Sequence, residues 1–492
     1  GAAGLLGSEG PLARQVPGFA PRLEQQEMAA AVEAVLNEGG TLVVEAGTGT
    51  GKTYAYLVPA LLSGARVMIS TGTRHLQDQL YHRDLPVVRR ALEIPVRTAL
   101  LKGRSNYLCL YRLRATEQGG RLSSREQVAE LRRVRVWAGR TRRGDIAEIP
   151  DVPEASLIWP RVTSTVDNCL GQDCPNLDDC FFAKARREAL AADVLVINHH
   201  LFCADMAMKE TGFAELLPNA EAIILDEAHQ LPEVASHFLG QSLSGRQLIE
   251  LARDTVVEQA RDAADFAVLR QRAEALEPAT LALREVLGQA DRRAPWREAA
   301  ARPAAREAVE RLSGVLERLR EALKEAAQRG KGLESCHRRG EDLAQRLILL
   351  GGEESSPDHV CWFETRGRGF TLTRTPLDIA PTFRGRMDAR KVAWIFTSAT
   401  LAVGREFEHF ALRLGLRDYA ALRLDSPFDF AGNTLLYHPP QLPDPASPRY
   451  TAALVDAALP VLEASGGRAF LLFTSYRALR EAAELLAGRL AY

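Results

Sequence analysis

The chain has 492 residues, enough for about three or four domains with separate cores. Its 62 Lys and Arg residues are balanced by 63 Asp and Glu residues, and the net charge of -1 excludes a uniformly basic nucleic-acid binder, so any nucleic-acid site must be a local groove. Because no apolar run approaches the roughly 18 to 20 residues of a membrane span and no secretory pattern opens the chain, the sequence predicts a cytoplasmic protein without a membrane partner.

The first predicted element is a helix over residues 24–37, which the string PRLEQQEM introduces. A glutamine just upstream of a phosphate-binding loop can hydrogen-bond both edges of adenine, and the register favours Gln25 for that role. The alternative is a solvated glutamine at the start of a helix.

A phosphate-binding loop is predicted at residues 42–53, LVVEAGTGTGKT, between an apolar strand and a helix start. Glycines let successive backbone N–H groups point inward, and the helix N-terminus adds its dipole. Lys52 is expected to reach the β and γ phosphates of ATP, and the Thr53 hydroxyl to hold Mg²⁺. The alternative is an ordinary glycine-rich turn. The predicted nucleotide contacts in this P-loop are Ala46, which replaces the usual first glycine, and Gly47, Thr48, Gly49, Thr50, Gly51, Lys52 and Thr53.

A second apolar strand, RVMIS, runs into Thr71 and Thr73. Loops at the carboxyl ends of parallel strands form the ligand crevice, so both threonines are predicted to touch a backbone phosphate. The alternative for each is a helix cap. A third strand is predicted at residues 96–101.

Strand and helix alternation then stops, arginines become dense, and NCLGQDCPNLDDC brings three cysteines close together. We call residues 104–190 the cysteine insert. A cytosolic cysteine cluster suggests a metal site rather than disulfides. Structural zinc sites usually carry shorter Cys-x-x-Cys turns, and the wider spacing suits an iron–sulfur cluster. The spacing alone therefore leaves three alternatives: a zinc site, an iron–sulfur cluster, or buried cysteines that bind no metal. The predicted ligands are Cys109, Cys169, Cys174 and Cys180.

The strand of AEAIILDEAH ends in a pair of carboxylates that we expect opposite the P-loop. Asp226 is predicted to hold the Mg²⁺ shared with Thr53, and Glu227 to polarise the attacking water. Together with Lys52 and His229, which closes the DEAH sequence, they are the predicted catalytic residues.

Residues 233–350 show helical periodicity, which indicates a second, mostly helical insertion. HVCWFETRG and RGFTLTRTPLDIA then read as strands or a hairpin that returns to the sheet. KVAWIFTSATL is another buried strand, and Ser398 and Thr400 at its end are predicted to relay the presence of the γ-phosphate to a bound strand. After a Pro-rich connection, a helix at 451–465, a strand at 468–476 and a helix at 477–490 are predicted.

The ordered strings EAGTGTGKT, STGT, KGRSNYLC, NCLGQDC with DCF, VINHH, LDEAHQLP and FTSATL resemble the iron–sulfur superfamily 2 DNA helicases. The resemblance is greatest to the DinG and YoaA branch, YoaA above all, and more distant to XPD. It implies an ATP-driven 5'-to-3' helicase acting on single-stranded and forked DNA in repair or replication, as a monomer with possible replication or repair partners. It also implies that the four cysteines hold a [4Fe-4S] cluster.

The resemblance implies an α/β fold: a RecA-like P-loop motor domain with an inserted iron–sulfur domain and an inserted helical arch domain, plus a partial second RecA-like domain. The first motor would comprise residues 1–103, 191–232 and 361–425, the iron–sulfur domain 104–190, the arch 233–360, and the incomplete second motor 426–492. We call residues 233–360 the helical insert.

Two features depart from the family pattern. Leu23 stands where relatives tend to have proline, and no Gln-x-x-Gly-Arg-x-x-Arg segment follows Tyr476. The expectation is a fragment of a longer protein, or a chain that binds ATP and DNA without an efficient cycle. The competing hypothesis is therefore a nucleotide-gated DNA-binding or scaffold protein that does not unwind DNA.

Overall fold

The computed structural model describes residues 1–119, 122, 124–208, 216–352 and 358–490. The chain divides into two compact units, residues 1–427 and residues 428–492. Within the described ranges, no helix combines the length and apolar character needed to cross a lipid bilayer.

The strands in the described residues are β1 Thr41–Ala46, β2 Val67–Thr71, β3 Thr98–Leu100, β4 Val194–Asn198, β5 Ala222–Asp226, β6 Gln241–Ser244, β7 Arg293–Pro295, β8 His359–Arg366, β9 Gly369–Pro376, β10 Ala393–Ser398 and β11 Ala420–Leu424. The helices up to the DEAH sequence are α1 Ala2–Leu5, α2 Pro11–Gln15, α3 Leu23–Glu38, α4 Lys52–Leu62, α5 Arg74–Gln79, α6 Leu85–Leu92, α7 Leu110–Gly119, α8 Arg125–Ala138, α9 Trp159–Val162, α10 Phe181–Ala191 and α11 His199–Met208. The later helices are α12 Leu231–Leu239, α13 Gly245–Asp262, α14 Ala267–Glu274, α15 Leu276–Val286, α16 Trp296–Ala300, α17 Pro303–Ala326, α18 Lys331–Gly351, α19 Ala380–Asp388, α20 Glu408–Leu414, α21 Phe430–Asn433, α22 Tyr450–Ala464 and α23 Tyr476–Leu486.

Seven strands of the first unit form one parallel sheet in the order β11, β1, β10, β5, β2, β4, β3. The four strands β2, β4, β5 and β10 are buried at every position, as expected for Val-, Ile- and Leu-rich strands covered on both faces. One face packs on α3, α4 and α6, and the other on α11, α12, α20 and the cysteine insert. This arrangement confirms the predicted parallel α/β sheet.

The register of the sheet decides which residues meet at its carboxyl edge. Glu45 near the end of β1 pairs with Ser398 on β10, and Thr397 of β10 pairs with Asp226 on β5. Because all these strands are parallel, the P-loop after β1 and the acidic pair after β5 emerge at one edge. A single strand, β10, separates them.

The helical insert has its own core of helices packed on a second, antiparallel sheet in the order β6, β9, β8, β7. The predicted hairpin is present as β8 and β9, but the expectation that it returns to the parallel sheet is wrong. Instead, β9 pairs with β6 and β8 pairs with β7. The expected domain boundary between residues 360 and 361 therefore lies inside β8 and separates strands of one antiparallel sheet.

The second unit contains the two predicted helices, as α22 and α23. The strand predicted at 468–476 is wrong, because these residues form no strand ladder. Phe470 is 96% exposed and Leu472 is 92% exposed, so the apolar run has no neighbouring strand in the described residues to pair with.

Candidate nucleotide and cysteine sites

The P-loop joins β1 to the start of α4. Gly49 and Gly51 have φ values of 89° and 79°, in the left-handed region that favours glycine. Lys52 begins α4 and its Nζ donates to the Ala46 carbonyl oxygen at 3.3 Å, so the ammonium lies across the mouth of the loop. The Thr50 hydroxyl closes the loop by donating to the Gly47 oxygen at 2.9 Å.

Gln25 lies on α3 and is buried against the P-loop. Its Nε2 donates to the Gly51 oxygen at 3.0 Å, and a Cβ added at Gly51 would lie 2.1 Å from that nitrogen. The solvated alternative is therefore wrong, because Gln25 is only 3% exposed. Its Oε1 has no hydrogen-bond partner among the described residues, and the adenine contact stays a prediction.

Asp226 ends β5 inside the crevice. Tyr56 donates its hydroxyl hydrogen to Asp226 Oδ2 at 3.0 Å, and the Glu227 N–H donates to Oδ1 at 3.0 Å. Burial and, after it, the charge of Glu227 raise the pKa of Asp226 to about 6, although the Lys52 ammonium opposes the rise. Lys52 and the acidic pair therefore share one electrostatic environment.

Tyr56 is a residue that the sequence reasoning missed. Its hydroxyl bonds Asp226 and also interacts with the Thr53 hydroxyl, so it touches both predicted Mg²⁺ ligands. Burial and the charge of Asp226 raise the pKa of Tyr56 well above its usual value, so the phenol stays a donor. Its position one helical turn after Lys52 on the same face was the available signal.

Glu227, His229 and Ser398 form a contiguous polar cluster. Glu227 has a φ of 56°, a left-handed conformation that turns the chain sharply after β5. Ser398 donates its hydroxyl hydrogen to Glu227 Oε2 at 3.2 Å, and its Oγ lies 2.8 Å from His229 Nδ1. The Thr400 N–H donates to Ser398 Oγ at 3.4 Å, and Thr400 itself is exposed. The structure thus brings Glu227 and His229 of the DEAH sequence into contact with Ser398, at the end of β10.

Thr71 is the last residue of β2 and Thr73 is the N-cap of α5, and their contact with a backbone phosphate stays a prediction. Thr71 is 1% exposed, so its side chain does not face the solvent side of the crevice in this conformation. Thr73 is exposed, and its Oγ1 accepts from the Leu76 N–H at 3.2 Å as the cap of α5. The capping alternative therefore describes Thr73, because its oxygen satisfies a free N–H of the helix start.

The four cysteines of the cysteine insert are free and half-buried. Burial, with a smaller contribution from the charges of Cys169 and Cys174, raises the pKa of Cys109 to about 11. Burial likewise raises the pKa of Cys174, and its neighbours there are Cys169 and Cys180. The charges of these thiols thus act on one another in pairs, Cys109 with Cys169 and Cys174, and Cys174 with Cys169 and Cys180. Among the described residues, no three His, Cys, Asp or Glu side chains are placed to hold a single metal ion.

The donors around these thiols suit a cluster whose sulfurs accept hydrogen bonds. The backbone N–H and the guanidinium of Arg112 both lower the pKa of Cys109, and the backbone N–H of Asn176 does the same for Cys174. Cys180 is the N-cap residue of α10. These donors favour thiolates at Cys109 and Cys174, and the binding of an inorganic group by the four cysteines stays a prediction.

A family model for DEAD/DEAH box helicases matches residues 25–116. The ATP-dependent DNA helicase YoaA of Haemophilus influenzae is 44% identical over 98% of this chain and 75% of the relative. YoaA of Escherichia coli is 45% identical over 97% of this chain and 75% of the relative. DinG of Mycobacterium tuberculosis is 33% identical over 95% of this chain and 73% of the relative. The chain belongs to the YoaA and DinG family of ATP-dependent DNA helicases.

A solved structure, Xpd4 of S. tokodaii, covers 95% of the chain at a TM-score of 0.45 and 14% identity, a likeness too low to carry a fold assignment. The parallel sheet of the helicase itself supports the α/β assignment.

In this helicase the helix that follows Cys109 is fastened to the helical insert by buried charges. Arg112 of α7 and Arg339 of α18 both donate to Asp254 of α13, at 3.1 Å and 2.7 Å. Burial opposes ionisation of Asp254, but the two guanidinium groups outweigh it and hold the pKa of Asp254 below its usual range. This ion triad was not predicted, because its members are far apart in the sequence.

Two further contacts tie the same inserts together. Tyr111 donates to Glu258 Oε1 at 2.5 Å, next to the triad. Gln247 Nε2 donates to Asp167 Oδ2 at 3.0 Å, close in sequence to Cys169. The cysteine loops are therefore positioned from outside by the helical insert.

Proposed function

We propose that the chain translocates 5' to 3' along single-stranded DNA, using ATP and Mg²⁺, and separates duplex DNA at forks during repair or replication. The meeting of the P-loop with the acidic pair at one sheet edge is the observation that carries this proposal. The names of the YoaA and DinG relatives support ATP and DNA as its substrates.

In the nucleotide site, we assign the phosphate contacts to Lys52 and to the P-loop N–H groups. Thr53 and Asp226 would hold Mg²⁺, which supplies charge neutralisation on the phosphate oxygens when bound. Tyr56 supports this assignment, because it contacts both ligands and fixes one carboxylate oxygen. Gln25 would recognise adenine with its free carbonyl oxygen.

Glu227 would orient and polarise the attacking water. Its contacts with Ser398 and His229 fix the carboxylate, and they support a role for these two residues in sensing whether the γ-phosphate is present. Thr400 is exposed at the end of the same sequence and would carry that signal toward bound DNA, together with Thr73. Thr71 would act only through its bond to the Thr73 oxygen.

Cys109, Cys169, Cys174 and Cys180 would hold a [4Fe-4S] cluster. Bound there, the cluster would join the two ends of the cysteine insert into one rigid element. The N–H donors of Arg112 and Asn176 would stabilise the ligating thiolates.

The test measures ATP hydrolysis and strand separation on matched duplexes that carry either a 5' or a 3' single-stranded tail. We expect single-stranded DNA to stimulate hydrolysis and only the 5'-tailed duplex to be unwound. Lys52→Ala should abolish both activities while leaving DNA binding in place, and that binding should weaken steeply with salt.

Unwinding of the 3'-tailed duplex would contradict the direction. Stimulated hydrolysis without strand separation on either substrate would favour the competing hypothesis of a nucleotide-gated DNA-binding protein. Equal loss of hydrolysis and DNA binding in Lys52→Ala would contradict the assignment of the P-loop.

A further inference from the structure

Glu45 is a charged side chain at the carboxyl edge of the sheet that the nucleotide chemistry does not use. It lies on β1 directly before Ala46, the first of the predicted nucleotide contacts, and its side chain is only 14% exposed. In the register of the sheet it stands between Ser398 on β10 and Arg423 on β11, the two neighbours of β1.

The carboxylate of Glu45 binds both neighbouring segments at once. Its Oε2 accepts from the backbone N–H groups of Leu401 and Ala402, at 2.6 Å and 2.7 Å. Its Oε1 accepts from Arg423 Nε at 3.2 Å. Charge-assisted hydrogen bonds of this kind are about twice as strong as neutral ones, and two successive N–H groups fix the direction of the carboxylate.

Glu45 binds two segments, the loop at residues 399–402 and strand β11, and both contact the nucleotide site. Leu401 and Ala402 end the loop at residues 399–402, which follows Ser398, the partner of Glu227. Two hydrogen bonds connect the end of β11 to the P-loop. The Gly47 N–H donates to the Leu424 oxygen at 3.0 Å, and Ser426 Oγ donates to the Thr48 oxygen at 2.6 Å.

We infer that Glu45 is a positioning residue that couples the P-loop to the 399–402 loop and to β11, so that nucleotide occupancy changes DNA affinity. This inference rests on the proposed helicase function. Two sites can be coupled through a contact that depends on the state of both sites. Glu45 makes such a contact, because its backbone belongs to the strand before the P-loop glycines and its carboxylate binds the loop that carries Thr400.

The test uses Glu45→Ala, Glu45→Gln and a matched control in the full chain. Glu221 is the control, because its carboxylate also accepts a backbone N–H, that of Arg66 at 2.8 Å, but at the opposite edge of the sheet. Glu45→Gln keeps an oxygen for the two N–H groups and loses the ion pair, so it should rescue part of the effect.

The readout is the ratio of single-stranded DNA affinities with and without a non-hydrolysable ATP analogue, beside basal and DNA-stimulated hydrolysis. We expect Glu45→Ala to reduce that ratio and the DNA stimulation by at least about fivefold, the lower end of typical coupling between sites. Basal hydrolysis and the KM for ATP should change little, and Glu221→Ala should leave the coupling intact.

Three results would overturn the inference. They are unchanged coupling in a folded Glu45→Ala protein, equal uncoupling in Glu221→Ala, and loss of basal hydrolysis in Glu45→Gln. If Glu45→Ala fails to fold, Glu45→Gln and Arg423→Gln decide the question, since both remove the ion pair with Glu45, and Arg423→Gln in addition removes only the 3.8 Å contact with the exposed Asp425. Absence of DNA stimulation in the unsubstituted protein would instead count against the proposed function.

Discussion

At the nucleotide site the main predicted side chains stand at the end of a strand or the start of a helix, whereas the four cysteines lie in loops and at helix starts between β3 and β4. The nucleotide residues are placed by the register of one sheet, in which β10 pairs Ser398 with Glu45 of β1 and Thr397 with Asp226 of β5. The cysteine loops are held by contacts from another insertion, above all the Arg112–Asp254–Arg339 triad.

This difference indicates that the two sites should fail independently. The nucleotide site should survive damage to the cysteine insert, because its hydrogen bonds stay within the parallel sheet, its loops and helices α3 and α4. The cysteine site should survive loss of catalysis but not loss of its contacts with the helical insert.

The largest expected effect is on catalysis. Glu227→Gln removes the predicted water-polarising carboxylate and should slow ATP hydrolysis by about 10²- to 10⁴-fold, the usual contribution of a general base. Binding of ATP, DNA affinity and metal content should persist. Exposed Glu233→Gln in the next helix is the matched control, and an equal loss of rate there would contradict the assignment.

The next effect is on the contact between the inserts. Asp254→Ala leaves two buried guanidinium groups without their carboxylate, and breaking such a buried pair costs about 3 to 5 kcal/mol of folding free energy. Thermal unfolding should show an early transition while ATP binding remains. Asp265→Ala, which removes an exposed ion pair with Arg329, should have little effect, and equal transitions in both variants would contradict the comparison.

The smallest effect should come from Tyr56→Phe, which deletes one hydrogen bond to Asp226 and keeps the ring. A bond to a charged group contributes about 1.5 to 3 kcal/mol, so the Mg²⁺ concentration for half-maximal hydrolysis should rise by about tenfold or more. Tyr81→Phe, whose hydroxyl bonds the Thr98 carbonyl oxygen away from the site, is the control. An unchanged Mg²⁺ requirement in Tyr56→Phe would show that Tyr56 does not position this carboxylate.

The strands of the parallel sheet could be predicted from the sequence because the pattern that identifies each strand lies within the strand itself. Buried strands such as AIILD and AWIFTS are mostly apolar runs, which predict strands directly. The glycines of the P-loop likewise predict the turn that follows β1. Gln25 and the acidic pair follow from their positions beside those elements.

The remaining features depend on partners that are distant in the chain. The β8–β9 hairpin is local, but its pairing with β6 and β7 is not. The apolar run around Phe470 has strand character without a paired neighbour. The ion triad joins Arg112 to a carboxylate 142 residues away, and Glu45 bonds Leu401 at a separation of 356 residues, so no periodicity reveals either contact.

The most direct test of the comparison is a measurement of bound iron, ATP binding and strand separation in the unsubstituted helicase and in Cys174→Ser. The account predicts a brown protein with four iron atoms per chain, as a [4Fe-4S] cluster requires, and a variant that loses iron and unwinding but still binds ATP. A colourless protein that holds zinc, or a Cys174→Ser variant that unwinds DNA normally, would contradict it.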